Sequence, residues 1–162
     1  MKLLGLVLLV VAGGGVGCLQ AASLHKRARS LKAAHGLVQW LMQQLRYTAA
    51  PIQQLLREAA REPAFSALAF LTDTPTFPGG WEKSVSKNAK ACAFTEEDAV
   101  LLCRFGEGLG KTDLEGQLAH GAQYARLLDE QQQKAAAIAR EKGRMVCMLW
   151  AAGAAVLALL LI

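Results

Sequence analysis

The sequence predicts an all-α protein, a small cytoplasmic helical bundle flanked by N- and C-terminal transmembrane helices. Three observations carry this expectation. No stretch alternates at the strand period, and every long apolar pattern recurs at three or four residues, as on an amphipathic helix. Leu3 to Leu24 holds no charge, and Met145 to Ile162 is a second uncharged run of eighteen residues. About twenty residues rising ~1.5 Å each cross a hydrocarbon core roughly 30 Å thick. Basic residues stand beside both runs, Lys26, Arg27, Arg29 and Lys32 after the first and Arg140, Lys142 and Arg144 before the second. Such a cluster marks the cytoplasmic side of a span. The expected organisation is a transmembrane helix over 1–22, a basic juxtamembrane stalk over 23–35, a helical domain over 36–128, a polar helical stalk over 129–144 and a transmembrane helix over 145–162.

Taken in order, Leu31, Leu37, Leu41 and Leu45 continue the first apolar run as one helix to Tyr47, with no proline to stop it. Pro51 opens a second helix at its first position, where a missing N–H costs nothing, with Ile52, Leu55 and Leu56 inward. Pro63 does the same for a short third helix carrying Phe65, Leu68 and Leu71. Asp73, Thr74, Pro75, Pro78 and the Gly79-Gly80 pair make Thr72–Gly80 the longest loop. Trp81 starts a helix to about Ala91 with Trp81 and Val85 packed. Thr95 and Asp98 form a capping box, opening a helix through Val100, Leu101, Leu102 and Phe105 that Gly110 closes in the left-handed region. Thr112 and Glu115 read as a second capping box, with Asp113 favouring the positive end of the next helix dipole.

That last helix meets no breaker. Leu114, Leu118, Gly121, Ala125 and Leu128 make its apolar seam, and Asp129 to Lys134 are polar on every face, as in a stalk rather than a core helix. Lying antiparallel to the first helix, the stalk would bring Asp129 and Glu130 towards Arg29 or Lys32, for ~0–1 kcal/mol per exposed pair. Gly13 and Gly17 opposite Ala151, Ala154, Ala155 and Ala158 would let the two spans pack, though small residues are common in spans.

The net charge of +5 is concentrated in these flanks: all seven basic residues before Glu58 are unopposed. Nucleic-acid binding calls for basic residues interleaved with aromatics on the domain itself, and there is no such stripe. A lipoprotein signal ending at Cys18 is the alternative for the N-terminus, but Gly15-Val16-Gly17-Cys18 lacks the usual leucine and the basic residues beyond it oppose export. Cys92 and Cys103 have no CxxC partner and read as buried free thiols. His25, His35 and His120 lack ligand spacing, so no metal is expected. No GxxxxGK[ST] loop is present, and Gly106-Glu107-Gly108-Leu109-Gly110 follows no strand, which points to helix termination and close helix approach rather than a phosphate cradle. Neither a catalytic set nor a cofactor or small-molecule site is expected.

Phe105-Gly106, Leu109-Gly110, Thr112-Asp113 and Gln117 resemble the signature of the stage III sporulation protein AB family of endospore-forming bacteria. The likeness extends to the opening Lys2-Leu3-Leu4-Gly5, the Tyr47–Leu55 segment with Pro51 and the Lys142–Met145 approach to the terminal Leu160-Leu161-Ile162. Gln43 and Gln44 replace usual glutamates, and Trp150 replaces a common glycine. The resemblance implies a domain similar to the cytoplasmic domain of type II secretion system protein F. It further implies a non-enzymatic membrane platform in the sporulation channel between mother cell and forespore. The implied partners are the membrane and the other stage III sporulation A-group proteins, including their cytoplasmic ATPase. A freestanding membrane anchor or adaptor, or the platform of another type II secretion or pilus-like system, is the alternative. Gln117 is open between a backbone contact within its turn and a face for a partner.

Overall fold

The computed structural model describes residues 2–48, 50–73 and 76–161, and side chains over 21–48, 50–73 and 76–143 together with 145, 148 and 149. Among the described residues six α-helices follow one another: α1 (Lys2–Tyr47), α2 (Ile52–Ala59), α3 (Ala69–Thr72), α4 (Trp81–Asn88), α5 (Glu96–Gly108) and α6 (Leu114–Leu161), with a 3-10 turn at Pro63–Phe65. No strand occurs among the described residues. The helical periodicity is therefore realised.

The flanking transmembrane helices are not supported, and this part of the expected fold class is corrected: among the described residues no helix is long and apolar enough to cross a membrane. The physical reason lies in composition. The described side chains of α1 run at once into Lys26, Arg27, Arg29 and Lys32, and α6 up to Gly143 carries Glu115, Arg126, Asp129, Glu130, Lys134, Arg140, Glu141 and Lys142. Charges at this density suit a bundle helix with one wet face. Cys18 and Cys147, the pairing of Gly13 and Gly17 with Ala151, Ala154, Ala155 and Ala158, and the side chain of Arg144 lie outside the described side chains, as do Thr74 and Pro75 of the loop.

α1 and α6 are the main packing pair. Their antiparallel course is set by two contacts: Gly121 lies under the Met42 thioether, and Gly143 lies beside His25. Leu31, Ala34, Leu37, Val38 and Leu41 of α1 are buried together with Leu128 and Ala135 of α6. The core thus reaches past Leu128 to the far side of the polar stretch over 129–134, where Ala135 and Ala139 are buried. The expected pairing of Asp129 or Glu130 with Arg29 or Lys32 does not form among the described residues. On α1 the residues aimed at the core here are Ser30, Leu31 and Ala34, while Arg29 and Lys32 stay exposed.

The short helices close the other side of the core. Pro51 proves to be the residue before α2 rather than its first, with extended backbone, and its carbonyl accepts from the N–H groups of Gln54 and Leu55. Leu55 and Leu56 are buried and Ile52 half-buried. Phe65 is held edge-on to Trp40 with centroids 6.0 Å apart. α4 ends at Asn88, three residues short of the expected Ala91. The chain then turns through Ala93 in the left-handed region to reach the α5 cap.

Candidate functional site

Phe105 and Gly106 of the signature belong to an aromatic knot built from α3, α4, α5 and α6. Trp81 is buried at the start of α4, and its indole N–H donates to the Leu102 carbonyl at 2.8 Å. Phe70, Phe77 and Phe105 all stand edge-on to it, with centroids 5.4, 6.4 and 6.3 Å away. Phe105 in turn stacks on the His120 ring at 5.9 Å, and Tyr124 lies 4.6 Å from His120. A His120 ring nitrogen sits 3.0 Å from the Phe105 carbonyl. Two glycines make room for this. A Cβ on Gly106 would collide with the Trp81 indole, and one on Gly108 would collide with the His120 ring. Phe-Gly in the signature is thus a packing requirement of aromatic rings laid on the α5 backbone.

The chain then reverses. Leu109 is buried, Gly110 takes φ +77 as expected, and Gln117 closes the reversal from the other side. Its amide oxygen accepts from the Gly110 N–H at 3.2 Å, and its amide nitrogen donates to the Thr112 carbonyl at 2.9 Å. One detail differs from expectation. The cap of α6 is Asp113, whose carboxylate accepts from the Gly116 N–H at 3.0 Å, so no Thr112–Glu115 box forms. An aspartate directly before the helix reaches the third N–H itself, and Thr112 falls one position outside. Asp113→Ala is therefore expected to cost about 0.5–2 kcal/mol, with Thr112→Ala milder. Gly110→Ala, which forces a side chain into the left-handed region, should cost about 1–2 kcal/mol. Urea midpoints of the three variants test the ranking.

The basic residues divide. Lys26, Arg29, Lys32, Arg140 and Lys142 are exposed, and the antiparallel register gathers them at one end of the α1–α6 pair. Exposed Met145, Met148 and Leu149 follow on the same end. Arg27 leaves this group. Its guanidinium grips the fully buried Asp98 through two bonds, Nε to Oδ2 at 2.7 Å and an η-nitrogen to Oδ1 at 3.0 Å. Asp98 also completes the α5 capping box, accepting from the Thr95 N–H at 2.9 Å. Burial pushes the Asp98 carboxyl up, but Arg27 and the Thr95 donors outweigh it and hold the group below the ordinary carboxylate range. The capping box is visible in sequence, whereas its partner lies 71 residues away and nothing local announces it.

Among the clefts of the described surface, two lie over the domain. One, about 650 Å³, runs between α1 and α6 over Met42, Gly121 and Ala125, rimmed by Arg46, Tyr47 and Arg126. The other, about 460 Å³, lies between α4 and α5 over Phe94 and Val100, rimmed by Glu82, Glu96 and Glu107. Neither was anticipated from sequence, although the exposed turns of the α6 seam were the available sign of the first. Cys92 is buried as expected, whereas Cys103 is only half-buried on the wall of the second cleft; burial pushes both thiols up. Among the described residues no three His, Cys, Asp or Glu gather to hold a metal.

The family model for stage III sporulation protein AB matches residues 2–162 of this chain. No curated protein and no solved structure matches it.

Proposed function

The chain belongs to the stage III sporulation protein AB family and has a role in stage III of sporulation; from that premise we propose that it is a non-enzymatic platform component of the channel apparatus linking mother cell and forespore. It works at the mother-cell membrane around the forespore, with the other stage III A-group proteins and their cytoplasmic ATPase as partners. The family match over nearly the whole chain carries the reading. The exposed cluster Lys26, Arg29, Lys32, Arg140 and Lys142 supports the membrane face, since basic side chains on one end are drawn to anionic headgroups at about 1 kcal/mol each. The signature residues support a platform rather than an enzyme: Phe105, Gly106, Leu109, Gly110, Asp113 and Gln117 all have packing, turn or capping partners.

Deletion of the gene in the sporulating host should lower heat-resistant spore yield by orders of magnitude and arrest cells at stage III, with recovery from an ectopic copy. The tagged full-length protein should co-purify the A-group ATPase from sporulating cells. Unchanged spore yield would sink the role, and normal arrest without ATPase recovery would sink the platform reading.

A further inference from the structure

The two clefts are complementary to each other in chemistry and share no lining residue. The α1–α6 cleft has an apolar floor of Met42, Leu118 and Ala125, a basic surplus from Arg46 and Arg126 on its rim, and Tyr47 at its lip with 76% of its surface exposed. Its carboxylate, Asp129, already accepts from Gln133 at 2.8 Å. The α4–α5 cleft presents the reverse, with Glu82, Glu96 and Glu107 around Val100, which is 43% exposed, and Arg104 as its basic member. On α5, Glu96, Val100 and Glu107 are spaced four and seven apart, so they share one helical face.

We propose that the acidic α5 face of one copy of this chain docks into the basic α1–α6 cleft of the next, joining copies head to tail. Charge decides the mode. Two copies meeting cleft to same cleft would oppose like charges, which disfavours a symmetric dimer, whereas opposite clefts attract. A large exposed aromatic beside arginines on an apolar floor is the composition enriched at interface centres. Because the two surfaces differ, the contact is heterologous, and its repetition closes a ring or grows a filament. The inference goes beyond the sporulation reading and stands on the two clefts alone.

The test is sedimentation of the purified full-length chain, dispersed in mild detergent, over a range of concentrations and two ionic strengths. The wild-type chain should associate beyond a dimer, and less so in high salt. R46E/R126E and E96K/E107K should each weaken association at least tenfold. Combining all four in one chain should restore it, since the charges are exchanged between the two surfaces. All four side chains are exposed, so helicity by circular dichroism should not change. Arg46 also complements the negative C-terminal end of the α1 dipole, which a glutamate there would not, so R46Q/R126Q serves as a milder companion that should weaken association with the fold intact. A monomeric wild-type chain, a symmetric dimer, indifference to either reversal, or a folded fourfold variant that stays monomeric overturns the proposal.

Discussion

Trp81→Ala should remove more stability than any other single truncation in the domain, about 3–5 kcal/mol as for a buried aromatic cut to alanine. That is a large share of the ~5–15 kcal/mol that holds a domain folded. The indole fills the space between α3, α4 and α5, touches three phenylalanine rings and donates to the Leu102 carbonyl. Its removal leaves a cavity that rings cannot close by small shifts. Gly106→Ala attacks the same contact from below. The added methyl meets the indole, and overpacking of this kind costs about 1–3 kcal/mol. The two substitutions should not add. With Trp81 already cut to alanine, the methyl on Gly106 enters empty space, so the double variant should be less destabilised than the sum by 1 kcal/mol or more, within the ~0.5–3 kcal/mol range for contacting pairs. Urea denaturation followed at 222 nm supplies the cycle. Strict additivity would mean that Gly106 is constrained by something other than Trp81.

Sequence alone reveals this knot only in part. The helices are legible because their boundaries are local: Thr95–Asp98 caps α5 with its own side chains, and Gly110 ends the segment with its own φ. Phe105, Gly106 and His120 are legible as residue types but not as a group, since what joins them is Trp81 and α6 arriving from opposite directions. The α6 cap is ambiguous in sequence because Thr112 and Asp113 are both capping residues, and only the backbone geometry decides which side chain reaches the Gly116 N–H. The expectation of membrane spans came from uncharged runs at the two ends. Charges across the described parts of α1 and α6 are what the same helices show where they pack. Arg27 is indistinguishable from its basic neighbours in sequence because composition carries charge and not direction. On a helix, Arg27 and Leu31 share a face that Lys26 and Arg29 do not.

That difference in direction sets up the pH behaviour of the Arg27–Asp98 pair. Asp98 is fully buried and Arg27 nearly so, with 14% of its side chain exposed. Arg27→Met would leave a buried carboxylate with only the Thr95 donors, a change expected to cost about 3 kcal/mol or more at pH 7. The acid limb should then invert. In the wild-type chain the folded Asp98 binds its proton less readily than the unfolded group, so its contribution is complete above the unfolded pKa of roughly 4 and is lost as pH falls through the lower folded value. Without Arg27, burial becomes the dominant influence and raises the folded pKa above the unfolded one. Folding of the variant then favours the protonated carboxyl, and its stability rises on acidification through that raised value. The two stability curves should converge below about pH 4, whereas Asp98→Asn, which has no charge to lose there, should flatten the acid limb in both backgrounds. Arg27→Met/Asp98→Asn should recover part of the single-variant loss, because it removes the stranded charge while keeping an acceptor for the Thr95 N–H. Urea midpoints of the four proteins between pH 3 and 7 decide it. Parallel curves for the wild-type chain and Arg27→Met would show that Arg27 does not hold the Asp98 proton equilibrium, and that α1 is tied to α5 by apolar packing alone.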